Sequence, residues 1–158
     1  MDTLAYTAAL PAKRMAAGAL IFNPQHELLI VKPTYRDGWL IPGGAVEAGE
    51  SPSAACRREV REELGLDLPI ARLLCLEYQS AEPDRTENLQ FVFAGGTLSP
   101  AQIGQIRLPA AELSAHQFCE PSAALALLNP RLSRRVSFAL TALAERRTLY
   151  LEDGVELR

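Results

Sequence analysis

The apolar residues change their spacing along the chain, and the changes mark its elements. Met15 to Phe22 (MAAGALIF) is a short unbroken apolar run that suits a buried strand. Asn23-Pro24-Gln25-His26 carries turn chemistry, and Glu27 to Lys32 (ELLIVK) reads as a second strand, giving an early hairpin. Pro33 to Gly38 is a polar loop. Trp39-Leu40-Ile41 is a brief extended piece that Pro42-Gly43-Gly44 should end. A helix is expected from Pro52 to Leu64: Ser51 supplies a cap, Pro52 stands at the first helical position, and Gly65 is a natural stop. Ile70 to Tyr78 and Leu89 to Gly95 read as further strands around a polar loop, Ser80 to Glu87. Pro109 to Phe118 passes from loop into a short strand. Two helices close the pattern, one near Pro121 to Leu128 and one after Pro130. In the second, Leu132, Val136, Leu140 and Leu143 form one stripe, and the arginines (Arg131, Arg134, Arg135, Arg146, Arg147) read as its solvated face.

This mixture defines an α+β protein, a β-sheet covered by helices. With 158 residues the chain is expected to form one domain, residues 13–158, after a loose lead-in over residues 1–12. Hydrophobic residues make up 48% and charged residues 22%, the balance of a soluble globular protein. No apolar run is long enough to span a bilayer, and the first residues lack the basic start of a secretion signal. Cys56, Cys75 and Cys119 form neither a disulfide framework nor a zinc spacing, so free thiols in the cytoplasm are expected. The net charge of −3 argues against nucleic-acid binding but not against a small phosphorylated substrate. The oligomeric state is open, a homodimer included.

The stretch Gly44 to Leu66 changes the picture. Glu59, Glu62 and Glu63 stand at i, i+3 and i+4, so their carboxylates leave one face of the helix. Each like-charged pair costs an isolated helix roughly 0.2–0.5 kcal/mol, which Arg58 relieves in part by pairing with Glu62. Cys56, Val60 and Leu64 form the adjoining apolar stripe and hold the acidic face at the edge of the core. Three carboxylates are hard oxygen ligands suited to Mg²⁺ or Mn²⁺, not zinc. Taken alone, the same glutamates also describe an ordinary solvent-facing acidic helix. The glycines before the helix argue for more. Gly43 and Gly44 allow close backbone approach, bringing a carbonyl such as that of Gly44 to a metal, or N–H groups to phosphate. Glu50 precedes the cap, where it can accept from N–H groups or orient Arg58.

Gly44, five residues, Glu50, seven residues, then Arg58-Glu59-Val60-Arg61-Glu62-Glu63-Leu64-Gly65-Leu66 resembles the Nudix box at all nine restricted positions. The resemblance to Nudix hydrolases runs from about Lys13 to about Leu128. It implies an α/β/α sandwich, a mixed β-sheet between helices, and water attack on a phosphorus of a nucleoside diphosphate linked to another group. It also implies metal ligation by Glu59, Glu62 and Glu63, with the Gly44 carbonyl joining and Glu50 and Arg58 in support. The family's catalytic base varies. Glu112, just before the strand that ends at Phe118, is the first candidate, ahead of Glu120 and His116. Arg14, Lys32 and Arg36 are candidate phosphate contacts, and Tyr35, Trp39, Tyr78 and Phe118 candidate stacking residues. The competing reading is a catalytically silent Nudix-like sensor or interaction module. Such modules usually lose box glutamates, and here all are present. A prenyl diphosphate isomerase would call for a reactive cysteine, whereas Cys56 lies on the apolar stripe.

Overall fold

The computed structural model describes residues 2–158. Its centre is an eight-stranded mixed sheet. The strands are β1 (Arg14–Phe22), β2 (Leu28–Pro33), β3 (Gly43–Ala45), β4 (Leu73–Gln79), β5 (Asn88–Thr97), β6 (Leu113–Cys119), β7 (Leu149–Glu152) and β8 (Val155–Glu156). They lie in the order β6-β2-β1-β5-β4-β7-β8, with β3 pairing separately with β1. The central pair, β1 and β5, is parallel, and β1 and β2 form the expected antiparallel hairpin.

The apolar run of β1 is continuous because both faces of the sheet are covered. Ala17, Ala19 and Ile21 point into one core with Val60 and Leu64 of helix α2 (Pro52–Leu64), together with Leu29 and Val31 of β2. Leu20, with Leu28 and Ile30, points into a second core against Val136 and Ala139 of helix α5 (Pro130–Glu145). Helix α4 (Pro121–Leu127) packs beside α5 and on β2. The result is the sandwich of helix, sheet and helix that the resemblance implied.

Helix α2 has the expected bounds and the expected causes. The Ser51 hydroxyl accepts from the Ala54 N–H at 3.2 Å, Pro52 opens the helix, and Gly65 ends it in the left-handed region at φ 73°. Other segments differ from the sequence expectations. Gly43–Ala45 is itself a strand, with Gly43 opposite Gly18 of β1, so the glycines prolong the extended piece instead of ending it. Gly43 has φ 150°, and a Cβ there would lie 2.3 Å from the Ala17 carbonyl oxygen, so only glycine permits this pairing. Helix α3 (Pro100–Gly104) was not anticipated, although Ser99 and Gln102 form a capping box. Strands β7 and β8 were missed too, although the Asp153-Gly154 turn between them is a hairpin signal with positive φ at both residues. The lead-in contains a short helix, α1 (Thr3–Ala8), with no buried residue; Met1 lies outside the described residues.

Candidate active site at the box helix

Helix α2 holds its acidic face against the strand that carries the glycines. Glu63 is turned inward, 8% exposed, and its Oε2 accepts the Gly43 N–H at 2.9 Å. Gly44 leaves room for Glu59: a Cβ on Gly44 would stand 2.5 Å from the Glu59 carboxyl group. Both glycines are thus in register with a carboxylate one layer below. Glu62 points outward, its side chain 54% exposed.

Arg58 ties the site together. Its Nε and Nη2 donate to Glu50 at 2.8 and 3.0 Å, its Nη1 donates to Glu59 at 2.9 Å and to Glu62 at 3.1 Å, and Nη2 also donates to the Ala45 carbonyl at 3.0 Å. Glu50 accepts from the Glu47 N–H as well, so it does both things its position suggested. One guanidinium therefore fastens the loop after β3 to the helix. The hydrogen bond from Arg58 and the backbone N–H of Glu47 hold the Glu50 carboxyl below the usual range.

Two box carboxylates are uncomfortable when charged. Burial pushes Glu63 up to about 8, and the nearby charges of Glu59, Glu112 and Glu62 add to this against the Gly43 hydrogen bond. Burial also raises Glu59, opposed by Arg58 and helped by Glu62 and Glu112. Among the described residues no three acidic, histidine or cysteine side chains converge tightly enough to coordinate one ion as they stand. Arg58 Nη1 instead lies between Glu59 and Glu62. The donor chemistry nevertheless fits a hard divalent cation. The oxygens are carboxylates and a glycine carbonyl, and a cation would offset both the burial that chiefly raises Glu59 and Glu63 and the mutual repulsion that adds to it.

The remaining candidates separate. Glu112 is exposed in the loop before β6, pinned through its carbonyl to the Thr34 N–H at 2.9 Å, and near enough for its charge to act on Glu59 and Glu63. Glu120 caps α4 by position, and His116 sits on β6 edge-on to Phe118. Arg14 hydrogen-bonds the side chain and carbonyl of Thr86, fastening the loop between β4 and β5. Lys32 lies 5.9 Å above the Trp39 ring. Arg36 alone of these three cations lines the cleft of about 250 Å³ that also meets Gly43 and Gly44. Trp39 and Phe118 pack against the cores, Tyr78 donates to Glu87, and Tyr35 is exposed.

The cleft holds residues that the sequence did not single out. Arg85, Arg131 and Arg135 line it with Gln79 and Gln90. Arg135 corrects the reading of α5 as solvated along all its arginines: its side chain is 8% exposed and paired with Glu77, 4% exposed. A signal existed. Arg135 stands beside Leu132 and Val136 on the buried stripe, and Glu77 alternates with Cys75 and Gln79 on one face of β4. An acid and a base at inward positions call for each other.

Such a sandwich, with a glycine strand facing an acidic helix, defines a class. Residues 12–140 match the family model of the NUDIX domain, and the chain belongs to that family. It is 39% identical over 70 residues to human diphosphoinositol polyphosphate phosphohydrolase 3-alpha, a match covering 42% of this chain and 43% of that protein. The chain therefore matches less than half the length of this curated relative. A crystal structure of a UDP-X diphosphatase superposes with a TM-score of 0.72 at 23% identity, over 95% of this chain and 72% of that one. A MutT NUDIX hydrolase from Burkholderia pseudomallei gives 0.63 at 26% identity, over 84% and 99%.

Proposed function

We propose that this chain is a Mg²⁺- or Mn²⁺-dependent hydrolase of the diphosphate bond in a nucleoside diphosphate linked to another group. The observation that carries this reading is the paired placement of Gly43 against Glu63 and Gly44 against Glu59 beside an open cleft. The names of the relatives, a diphosphoinositol polyphosphate phosphohydrolase and a UDP-X diphosphatase, support cleavage of a diphosphate and leave the attached group to be found.

Glu59, Glu62, Glu63 and the Gly44 carbonyl would hold the cation. When bound, it supplies positive charge at the phosphates and lowers the pKa of water. The protein's own groups do the rest. Arg58, charged and fixed by Glu50, holds the loop and helix in register. Gly43 and Gly44 let the diphosphate approach the backbone, with Arg36 beside it. Glu112 accepts the proton of the attacking water. The water oxygen bonds to phosphorus, the bridging P–O bond breaks, and its electrons leave with the second phosphate product.

Residues 13–158 act as the catalytic domain and residues 1–12 stand outside it. The substrate is a small nucleotide and not a nucleic acid, which the net charge of −3 supports. Among the described residues no helix is long and apolar enough to cross a membrane. The three free cysteines support a cytoplasmic location. A panel of nucleoside triphosphates, nucleotide sugars, ADP-ribose and dinucleoside polyphosphates, assayed with each metal, tests the proposal. Turnover of at least one is expected; a folded protein inert toward all of them is a sensor and not an enzyme.

A further inference from the structure

The cleft beside Gly43 and Gly44 lies on the face of the sheet opposite helix α2. The two glycines are the shared wall, carboxylates on one side and the cleft on the other. Its charge is one-sided. Arg36, Arg85, Arg131 and Arg135 line it, and among the described residues no acidic side chain does. Their counter-charges stand behind the cleft wall and not in its lining. Arg135 has Glu77, and both are almost wholly buried. Arg85 and Arg131 share Glu82, with Asp84 3.5 Å from Arg85. Arg36 has no carboxylate partner among the described residues and meets only the Tyr35 ring, at 5.9 Å. The Asp153 carboxylate also acts on Arg131, so among the described residues Arg36 is the cleft arginine left without a carboxylate beside it.

A buried arginine is costly unless it has work or a partner. Glu77 grips Arg135 through Nε and leaves Nη1 turned toward Gln90, a cleft residue, at 3.4 Å. The ion pair fixes the direction in which the free end of the fork points, and Arg131 lies one helical turn before it on α5. A flat, neutral base would draw little from four guanidinium groups. An oxyanion draws short, charge-assisted hydrogen bonds from each one it reaches.

We infer that the arginine cleft is an anion subsite, selecting substrates that carry a phosphate or carboxylate besides the scissile diphosphate. The inference rests on the hydrolase reading only for where the diphosphate lies, at the glycine wall. Arg36, Arg85, Arg131 and Arg135 are its specificity-determining residues, and Glu77 is the positioning residue for Arg135.

Two matched pairs test it. NAD⁺ and NADP⁺ differ by one phosphate on the nucleoside side, and UDP-glucose and UDP-glucuronate by one carboxylate on the other side. Binding is measured by calorimetry without metal, and kcat/KM separately with Mg²⁺ and Mn²⁺. The anionic member of at least one pair should bind roughly ten- to hundredfold tighter, the range of one charge-assisted hydrogen bond. Which pair responds tells phosphate from carboxylate. The preference should fall toward unity in Arg36→Gln and Arg131→Gln, both at exposed or half-exposed side chains. Because Arg135→Gln alone would strand Glu77, the double variant Glu77→Gln/Arg135→Gln is compared with Arg135→Lys, which should keep part of the preference. A binding preference without turnover of these four compounds would leave the subsite standing, and the hydrolase reading would then fall only if the wider nucleotide panel were also inert. Equal binding, or no binding, of both members in both pairs overturns the inference. So does a preference that survives all the arginine substitutions.

Discussion

Glu63 and Glu62 occupy the same helical face yet live in different media. Glu63 is buried against a backbone N–H, while Glu62 reaches into solvent toward Arg58. Glu63→Gln keeps the size of the side chain and removes the charge. It should lower kcat roughly 10²-fold or more, the scale for loss of a metal-organising group, in steady-state assays with either metal. Without metal its melting temperature should hold or rise, because a repelled carboxylate has been neutralised. Wild-type activity in this variant would remove Glu63 from the site. Glu112→Gln addresses the base. If Glu112 takes the proton, kcat should drop roughly 10²–10⁴-fold with little change in substrate affinity. If it ligates instead, a higher metal concentration should restore part of the rate, and an unchanged kcat at every metal concentration would leave the residue as surface.

Helix α2 is the element on which the site depends, and its ends carry local signals that need no partner. Ser51→Ala removes the side-chain acceptor that caps its start and should cost about 1 kcal/mol in chemical denaturation. A loss near zero would mean that Pro52 and packing alone set the start. Elements of this kind were legible in the chain because cap, proline and glycine act within a few residues of one another. The box glutamates were legible for the same reason: i, i+3 and i+4 is a local relation. The cleft was not. Arg85 comes from the loop between β4 and β5, Arg131 and Arg135 from α5, and Gln79 and Gln90 from neighbouring strands, so only the folded sheet assembles them. Arg135 and Glu77 are 58 positions apart, and each alone reads as a surface charge. The β7–β8 hairpin and α3 went unread for a different cause, since their turn and cap signals were present and the segments were simply short.

Across the whole molecule, the raised Glu63 couples folding to pH. Its folded-state pKa of about 8 lies above its ordinary 4.5, so the folded chain holds a proton that the unfolded chain releases. The stability this proton provides is fully present below about pH 4.5 and is lost as pH rises through about 8; Glu59, also raised, acts in the same direction. Metal-free protein should therefore melt lower at pH 9 than at pH 6, and Glu63→Gln should flatten that slope in differential scanning calorimetry. A cation competes with the proton, so its affinity should rise over the same window. A slope that the substitution does not alter would place the titration elsewhere.

The parallel pairing of β1 with β5 has a consequence in time. Arg14 lies opposite Asn88, so the two middle strands of the sheet are 74 positions apart (88 − 14 = 74). Until the later strand has emerged from the ribosome, β1 has no partner on that side, and the apolar faces of β1 and α2 are without much of their cover. Closing so long a loop is an entropic cost met before any of the pairing it allows. A fragment ending at Ile70 holds every glutamate of the box and should still give the circular dichroism of an unfolded chain, gaining the native spectrum only when extended beyond Thr97. The motif that identifies the molecule is thus synthesised before the strand that completes its sheet, and it must wait for that strand before it has a shape.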